Sequence, residues 1–209
     1  MSLLLLYRAG HEQRPHGCIR GYPTRVTTAG PSRRVRYTQH EQALLRVSKA
    51  DKKTLGLMVE GVYLSTSTAR TLPDLQEQTC ADRLRFAREL LGVADKLARS
   101  RPAQYRSAIS RYYYAMYHAM RAVVYYAHGG DDHNEHKVLP SHVPQDFVDS
   151  ALWQNNLKDA RAHRNDADYD PYPLDPKIWR DVALDLRVKS HQLIVLTEDY
   201  LRRKGCAHI

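Results

Sequence analysis

Leu84, Ala87, Leu90, Leu91, Ala94 and Leu97 recur at the spacing of one helical face. Thr79 followed three residues later by Asp82 resembles a capping box and predicts that this helix starts there. Ser100, Arg101 and Pro102 break it and open a second helix over about 103–127, because proline is tolerated in a first helical turn. Its inward face is Tyr105, Ile109, Tyr112, Met116, Ala119, Met120, Val123 and Ala127. Gly129 and Gly130 end it, glycine being the residue that best takes the left-handed turn closing a helix. After a His-bearing loop, Pro144 opens a third helix through about His163, stopped by Pro171 and Pro173. Asp175 caps the last helix with Pro176 in its first position, and Ile178, Val182, Leu186, Leu193, Leu196 and Tyr200 face inward. Four helices with short or medium connections predict an all-α fold, an up-down four-helix bundle.

Upstream the pattern weakens. From Gln39 to Leu64 a helical rhythm of Leu44, Leu45, Val47, Leu55, Met58 and Val62 is diluted by Gly56 and Gly61. Residues 65–73 are a polar linker. Residues 1–37 show no period and contain Pro15, Gly17, Gly21, Pro23, Gly30 and Pro31, so an irregular segment is expected, closed by the basic cluster Arg33, Arg34 and Arg36. The expected division is a basic N-terminal extension over 1–75 and a helical bundle over 76–209.

Charge follows that division. The formal net charge is +9 over 209 residues. Residues 1–60 hold eleven Lys/Arg against four Asp/Glu, whereas residues 61–209 are close to balanced. Nucleic-acid binding by the helical body must therefore come from particular residues rather than bulk charge. Cys18, Cys80 and Cys206 have no paired spacing and predict separate reduced thiols, neither a disulfide framework nor a zinc site. No apolar run approaches a membrane span, and the Leu3–Tyr7 run is shorter than a signal-peptide core, so a cytoplasmic location is expected.

Beside the core stripe of the second helix runs another: Arg111, Tyr114, His118, Arg121, Tyr125 and His128, at alternating spacings of three and four. A polar-aromatic stripe is a solvated face, a subunit contact or a groove lining, and its tyrosines favour the last two. Arg164, Asn165, Asp166, Ala167, Asp168 and Tyr169 stand where the third helix runs out. Arg164 suits bidentate phosphate binding. The plain alternative is that Asp168 pairs with an arginine and Tyr169 plugs a gap between helices. In the loop, Asp131, His133 and His136 have spacing compatible with a transition metal, but such polar loops are mostly just solvated, and no metal or cofactor is expected.

The run Arg111-Tyr112-Tyr113-Tyr114-Ala115-Met116-Tyr117-His118, a His-bearing loop and a closing Arg164-Asn165…Ala167-Asp168-Tyr169 resemble the HEPN superfamily, closest to the small prokaryotic branch encoded beside minimal nucleotidyltransferases. The resemblance covers about residues 82–203. It implies a helical bundle, usually a homodimer, whose active members are metal-independent endoribonucleases of toxin or phage-defence systems. Their motif is Arg, a polar residue, three to five residues and His. Arg164 and Asn165 match its opening, but Asp168 or Tyr169 stands at the His position, and His163 precedes the arginine.

Metal-free RNA cleavage needs a base for the 2′-OH, an acid for the leaving oxygen and a cation for the phosphorane, and imidazole serves the first two near neutral pH. His118 is therefore the expected acid/base, Arg164 the phosphate ligand, and Asn165 and Asp168 its orienting neighbours. Arg111, Tyr114, His136, Arg161 and Tyr169, with Arg33, Arg34 and Arg36, are expected to contact RNA or nucleotide. The alternative is a non-catalytic module docking a nucleotidyltransferase or other defence subunit, with Tyr112, Tyr113, Tyr114 and Tyr125 as interface anchors. A third possibility is salt-sensitive nucleic-acid binding by the basic arm alone.

Overall fold

The computed structural model describes residues 37–209, whose regular elements are all helices, with no strand among them. Arg33, Arg34 and Arg36 lie outside the described residues, as does Cys18. The chain divides between Ala50 and Asp51.

Before that division lies α1 (Gln39–Lys49). Thr38 caps it reciprocally: its hydroxyl accepts the Glu41 amide, and the Glu41 carboxylate accepts the Thr38 amide at 2.8 Å. None of its residues is buried.

The second unit opens with α2 (Lys52–Thr68), capped by Asp51 and ended at Ala69, which takes a left-handed φ of 54°. The weak periodicity over 39–64 is thus two helices rather than one. The expected polar linker is also mostly helical, since α2 runs on to Thr68. Helix α3 (Leu72–Arg99) begins earlier than the Thr79 signal suggests. Thr71 is its cap, accepting the Asp74 amide, with Pro73 in the first turn. Thr79 is interior, and its hydroxyl donates back to the Leu75 carbonyl.

Helix α4 (Tyr105–His128) ends as expected at Gly129, whose φ of 72° is left-handed. Twelve of its residues are buried, including Ile109, Tyr112, Met116, Met120 and Val123, which makes it the hub of the fold. It packs against α3 on one side, against α5 (Ser150–Tyr169) on another and against α6 (Pro176–Arg203) along a third face. The third predicted helix starts late. A 3₁₀ turn over Leu139–His142 and a bend ending at Asp149, which takes a left-handed φ of 51°, precede Ser150. Leu139, Val143 and Phe147 from this stretch are buried. Asp175 caps α6 by accepting the Lys177 amide, and Leu186, Leu193 and Tyr200 face inward as predicted. Ile178 does not, being exposed, and the buried neighbour is Trp179.

Two polar clusters tie these helices. Asp95 on α3 is buried, yet it accepts the Tyr112 hydroxyl at 2.7 Å, the Arg187 Nε–H at 3.1 Å and lies 3.2 Å from His191 Nε2. Burial pushes its carboxyl up, but Tyr112, His191 and Arg187 outweigh it and hold the pKa below the ordinary value. Arg106 at the start of α4 donates to the carbonyls of Ala167 (2.9 Å), Asp166 (3.3 Å) and Asp170, in and just past the last turn of α5, where carbonyls run short of intrahelical donors. Its guanidinium also lies 4.5 Å over the Trp179 ring.

Candidate functional site

The helical period places Ser107, Ser110, Arg111, Tyr114 and His118 on one face of α4, and this face is the floor of a groove of about 550 Å³. Phe86 and Leu90 of α3 form one wall, and Arg164 and Asp168 of α5 the other. The groove thus gathers Arg111, Tyr114, His118, Arg164 and Asp168, all singled out from sequence on two separate helices. Sequence reasoning missed Phe86, Ser107 and Ser110. Spacing along α4 contains the two serines, whereas Phe86 follows only from how α3 packs.

Arg164 is held on every side. Its Nη2 donates to the Tyr114 hydroxyl at 2.9 Å, Nη1 to Asn165 Oδ1 at 3.1 Å, and Nε lies 2.8 Å from Asp168 Oδ2. That last approach is a charge contact rather than an aligned hydrogen bond, for the buried Nε–H has no hydrogen-bond partner. The guanidinium also lies over the rings of Tyr114 and Tyr169, 5.4 and 5.3 Å from their centroids. Burial works against its charge, and Tyr114 and Asp168 more than offset that, raising its pKa above the usual value. The Ser110 hydroxyl donates to Asp168 from the groove floor at 3.3 Å. Tyr169 is 71% exposed, so it does not plug a gap between helices; it only shields the guanidinium.

His118 is different in kind. It is edge-on to Phe86 (4.8 Å) and Tyr117 (5.0 Å) and makes no hydrogen bond with the described residues. Burial, then Arg121, His136 and Arg83, push its pKa down to about 4. At neutral pH it is an uncharged imidazole with unoccupied lone-pair capacity. Arg111 is exposed and unpaired among the described residues.

His136 does not join His118. Its ring stacks on that of Tyr117, with centroids 4.0 Å apart, and Nδ1 meets the Tyr113 hydroxyl at 2.6 Å. It lines a smaller recess of about 210 Å³ with Tyr113, Tyr114, Arg161, Arg164 and Asn165. The Tyr114–Arg164 pair borders both spaces.

The polar-aromatic stripe of α4 divides accordingly. Its first half lines the groove. Arg121 instead grips Asp131 (Nε to Oδ1, 2.9 Å), Tyr125 lies under Arg83 at 4.4 Å, and His128 meets His133 and His142. The loop expected to be solvated is therefore pinned: Asp131 also pairs with Arg83 at 3.1 Å, and the Tyr117 hydroxyl donates to the Asn134 carbonyl. His133 stacks on His142 at 3.6 Å, turned to other partners than His136. Among the described residues no group of three or more His, Cys, Asp or Glu is arranged to hold a metal ion. Tyr112 is fully buried, as its place on the predicted inward face requires, and Tyr113 nearly so, so neither is free to be the interface anchor that the docking alternative made of it. Cys80 and Cys206 are free and buried, and burial followed by proximity to Cys206 pushes the Cys80 thiol up to about 12.

The all-helical architecture agrees with the family whose sequence profile matches residues 80–187, the HEPN domain. The chain belongs to the HEPN family. No curated protein and no solved structure matches it. No described helix is long and apolar enough to cross a membrane.

Proposed function

We propose that this HEPN protein acts on RNA as a component of a toxin or phage-defence system, working as a homodimer in the cytoplasm. A single-stranded segment lies in the groove along α4, and its phosphate is held by Arg164 and Arg111. The observation that supports this most is the opening of a neutral, unbonded imidazole and a positioned guanidinium on one groove.

The chemistry is metal-independent transesterification. His118 takes the proton of a 2′-OH, the freed oxygen attacks the adjacent phosphorus, and the P–O5′ bond breaks to leave a 2′,3′-cyclic phosphate and a 5′-OH. Arg164 offsets the charge that grows on the phosphorane oxygens. Asn165 and Asp168 act through Arg164 as positioning residues. Within one protomer the groove holds His118 as its one imidazole among the described residues, so the leaving 5′-oxygen takes its proton from water and turnover is slow.

The deciding experiment incubates the pure protein with labelled tRNA and mRNA in EDTA. Wild type is expected to yield cyclic-phosphate ends. His118→Gln lowers the rate by about 10²–10⁴, the usual size of general-base assistance, and leaves binding unchanged. RNA that is neither bound nor cut by wild type defeats the proposal.

A second reading, a non-catalytic module docking a nucleotidyltransferase or other defence subunit, is favoured by a different observation. Leu184, Val188 and Val195 form an exposed apolar row on α6, away from the groove residues. Under it, Val188→Glu abolishes co-purification with the partner, and Arg164→Ala does not.

A further inference from the structure

The smaller recess has the chemistry of an anion site. Arg161 and Arg164 are three apart on α5, so their guanidiniums share a face. Arg161 forms no ion pair or hydrogen bond with the described residues, and no carboxylate lines the recess. Burial makes the Tyr113 hydroxyl reluctant to ionise, and it shares a hydrogen bond with His136 Nδ1 at 2.6 Å. In the tautomer that accepts at Nδ1, His136 carries its ring proton on Nε2 and adds a donor. The Asn165 side chain supplies an amide. At about 210 Å³ the space is smaller than a typical organic-ligand pocket yet has room for a phosphate group with some of its water.

Its position gives it meaning. The Tyr114–Arg164 hydrogen bond of 2.9 Å is the partition between recess and groove, and Arg164 lines both. A nucleotide chain crossing this partition carries one phosphate on each side of it.

We propose that the recess is a second phosphate site, occupied by the phosphate next to the one held in the groove, so that the substrate class is RNA with at least two consecutive phosphates straddling Tyr114. This rests on the groove being an RNA site. The recess phosphate is either an internal diester or a terminal monoester, and the probes separate the two.

The test measures anisotropy of a fluorescein-labelled U₈ oligonucleotide in EDTA across a salt series, with UpU, UpUpU and pUpU as competitors. For single strands, log K falls with log salt at about 0.7 per phosphate neutralised. Arg161→Gln is expected to make the slope shallower by about 0.7, and Arg161→Lys to restore it. Wild type gains affinity from UpU to UpUpU if the recess takes a diester, or only from UpU to pUpU if it takes a terminal phosphate. Arg161→Gln abolishes that gain. Arg161 has no described intramolecular partner, so its replacement spares the fold, which a matched thermal melt checks. Wild-type slope and wild-type gain in Arg161→Gln, with Arg111→Gln impaired, overturn the second site and leave the groove intact. Failure of wild type to bind any of the probes overturns both.

Discussion

The Tyr114 hydroxyl accepts a 2.9 Å hydrogen bond from Arg164 Nη2 across the α4–α5 contact. The bond stabilises both helices' packing and aims the guanidinium. Tyr114→Phe keeps the ring under the cation and removes only the acceptor of a charged donor, so urea denaturation is expected to show a loss of about 1.5–3 kcal/mol. Arg164→Lys loses more, since a single ammonium cannot span Tyr114, Asn165 and Asp168 together.

Acid should affect His118 in a specific direction. Its folded pKa of about 4 lies below the ordinary 6.5, so the unfolded chain binds this proton more readily. Stability from this position is complete above about pH 6.5 and declines as pH falls towards 4. His118→Phe removes that part of the acid sensitivity, measured as urea midpoints at pH 7 and pH 5. For cleavage, a base that stays unprotonated down to about pH 4 predicts a rate that does not fall between pH 7 and pH 5. A base limb near 6.5 would assign the proton transfer to another group.

Asp95 carries a dependence of the same sign in a more acidic range, below the ordinary carboxyl value of 3.8. Its carboxyl is held below its ordinary value, so the stability it brings is present above the unfolded pKa and lost as pH falls through the folded one. Asp95→Ala strands the fully buried Tyr112 hydroxyl and costs about 1–3 kcal/mol, read by chemical denaturation. The partly exposed Arg187 and His191 can rehydrate, which keeps the loss at that scale.

Gly129→Ala is a backbone experiment. At φ 72° a Cβ meets no atom within 4 Å, so the cost is conformational, about 1–2 kcal/mol, and appears as a lower melting temperature with unchanged RNA affinity.

Local signals carried most of what the sequence revealed. Gly129, Asp175 and Pro176 act within one turn of their own positions, and each predicted its helix end. The start of α3 was misplaced because two capping patterns lie eight residues apart. Thr71 is followed by Pro73 and Asp74, while Thr79 and Asp82 mimic a cap from inside the helix. Pro144 misled for a tertiary reason: the chain after it first buries Phe147 and turns through Asp149 before helix can begin.

The site was partly legible for a related reason. Arg111, Tyr114 and His118 share a face by arithmetic alone, and Arg164 with Asp168 by the same rule on α5. That these two faces meet is a tertiary fact. So is the placing of His118 and His136 in different hollows, each against the ring of Tyr117. Tyr112 is on the inward stripe by period and is buried, which outweighs its reading as a docking anchor; the burial of Tyr113, one position off that stripe, is a matter of tertiary packing.

Arg106 ties the carbonyl end of α5 to the opening turn of α4. The floor that presents Arg111 and His118 and the Tyr114 hydroxyl that aims Arg164 are likewise on α4. Parting the two helices at this end would require breaking the Arg106 bonds as well as the Tyr114–Arg164 bond, so the cleft is latched at two points along α4.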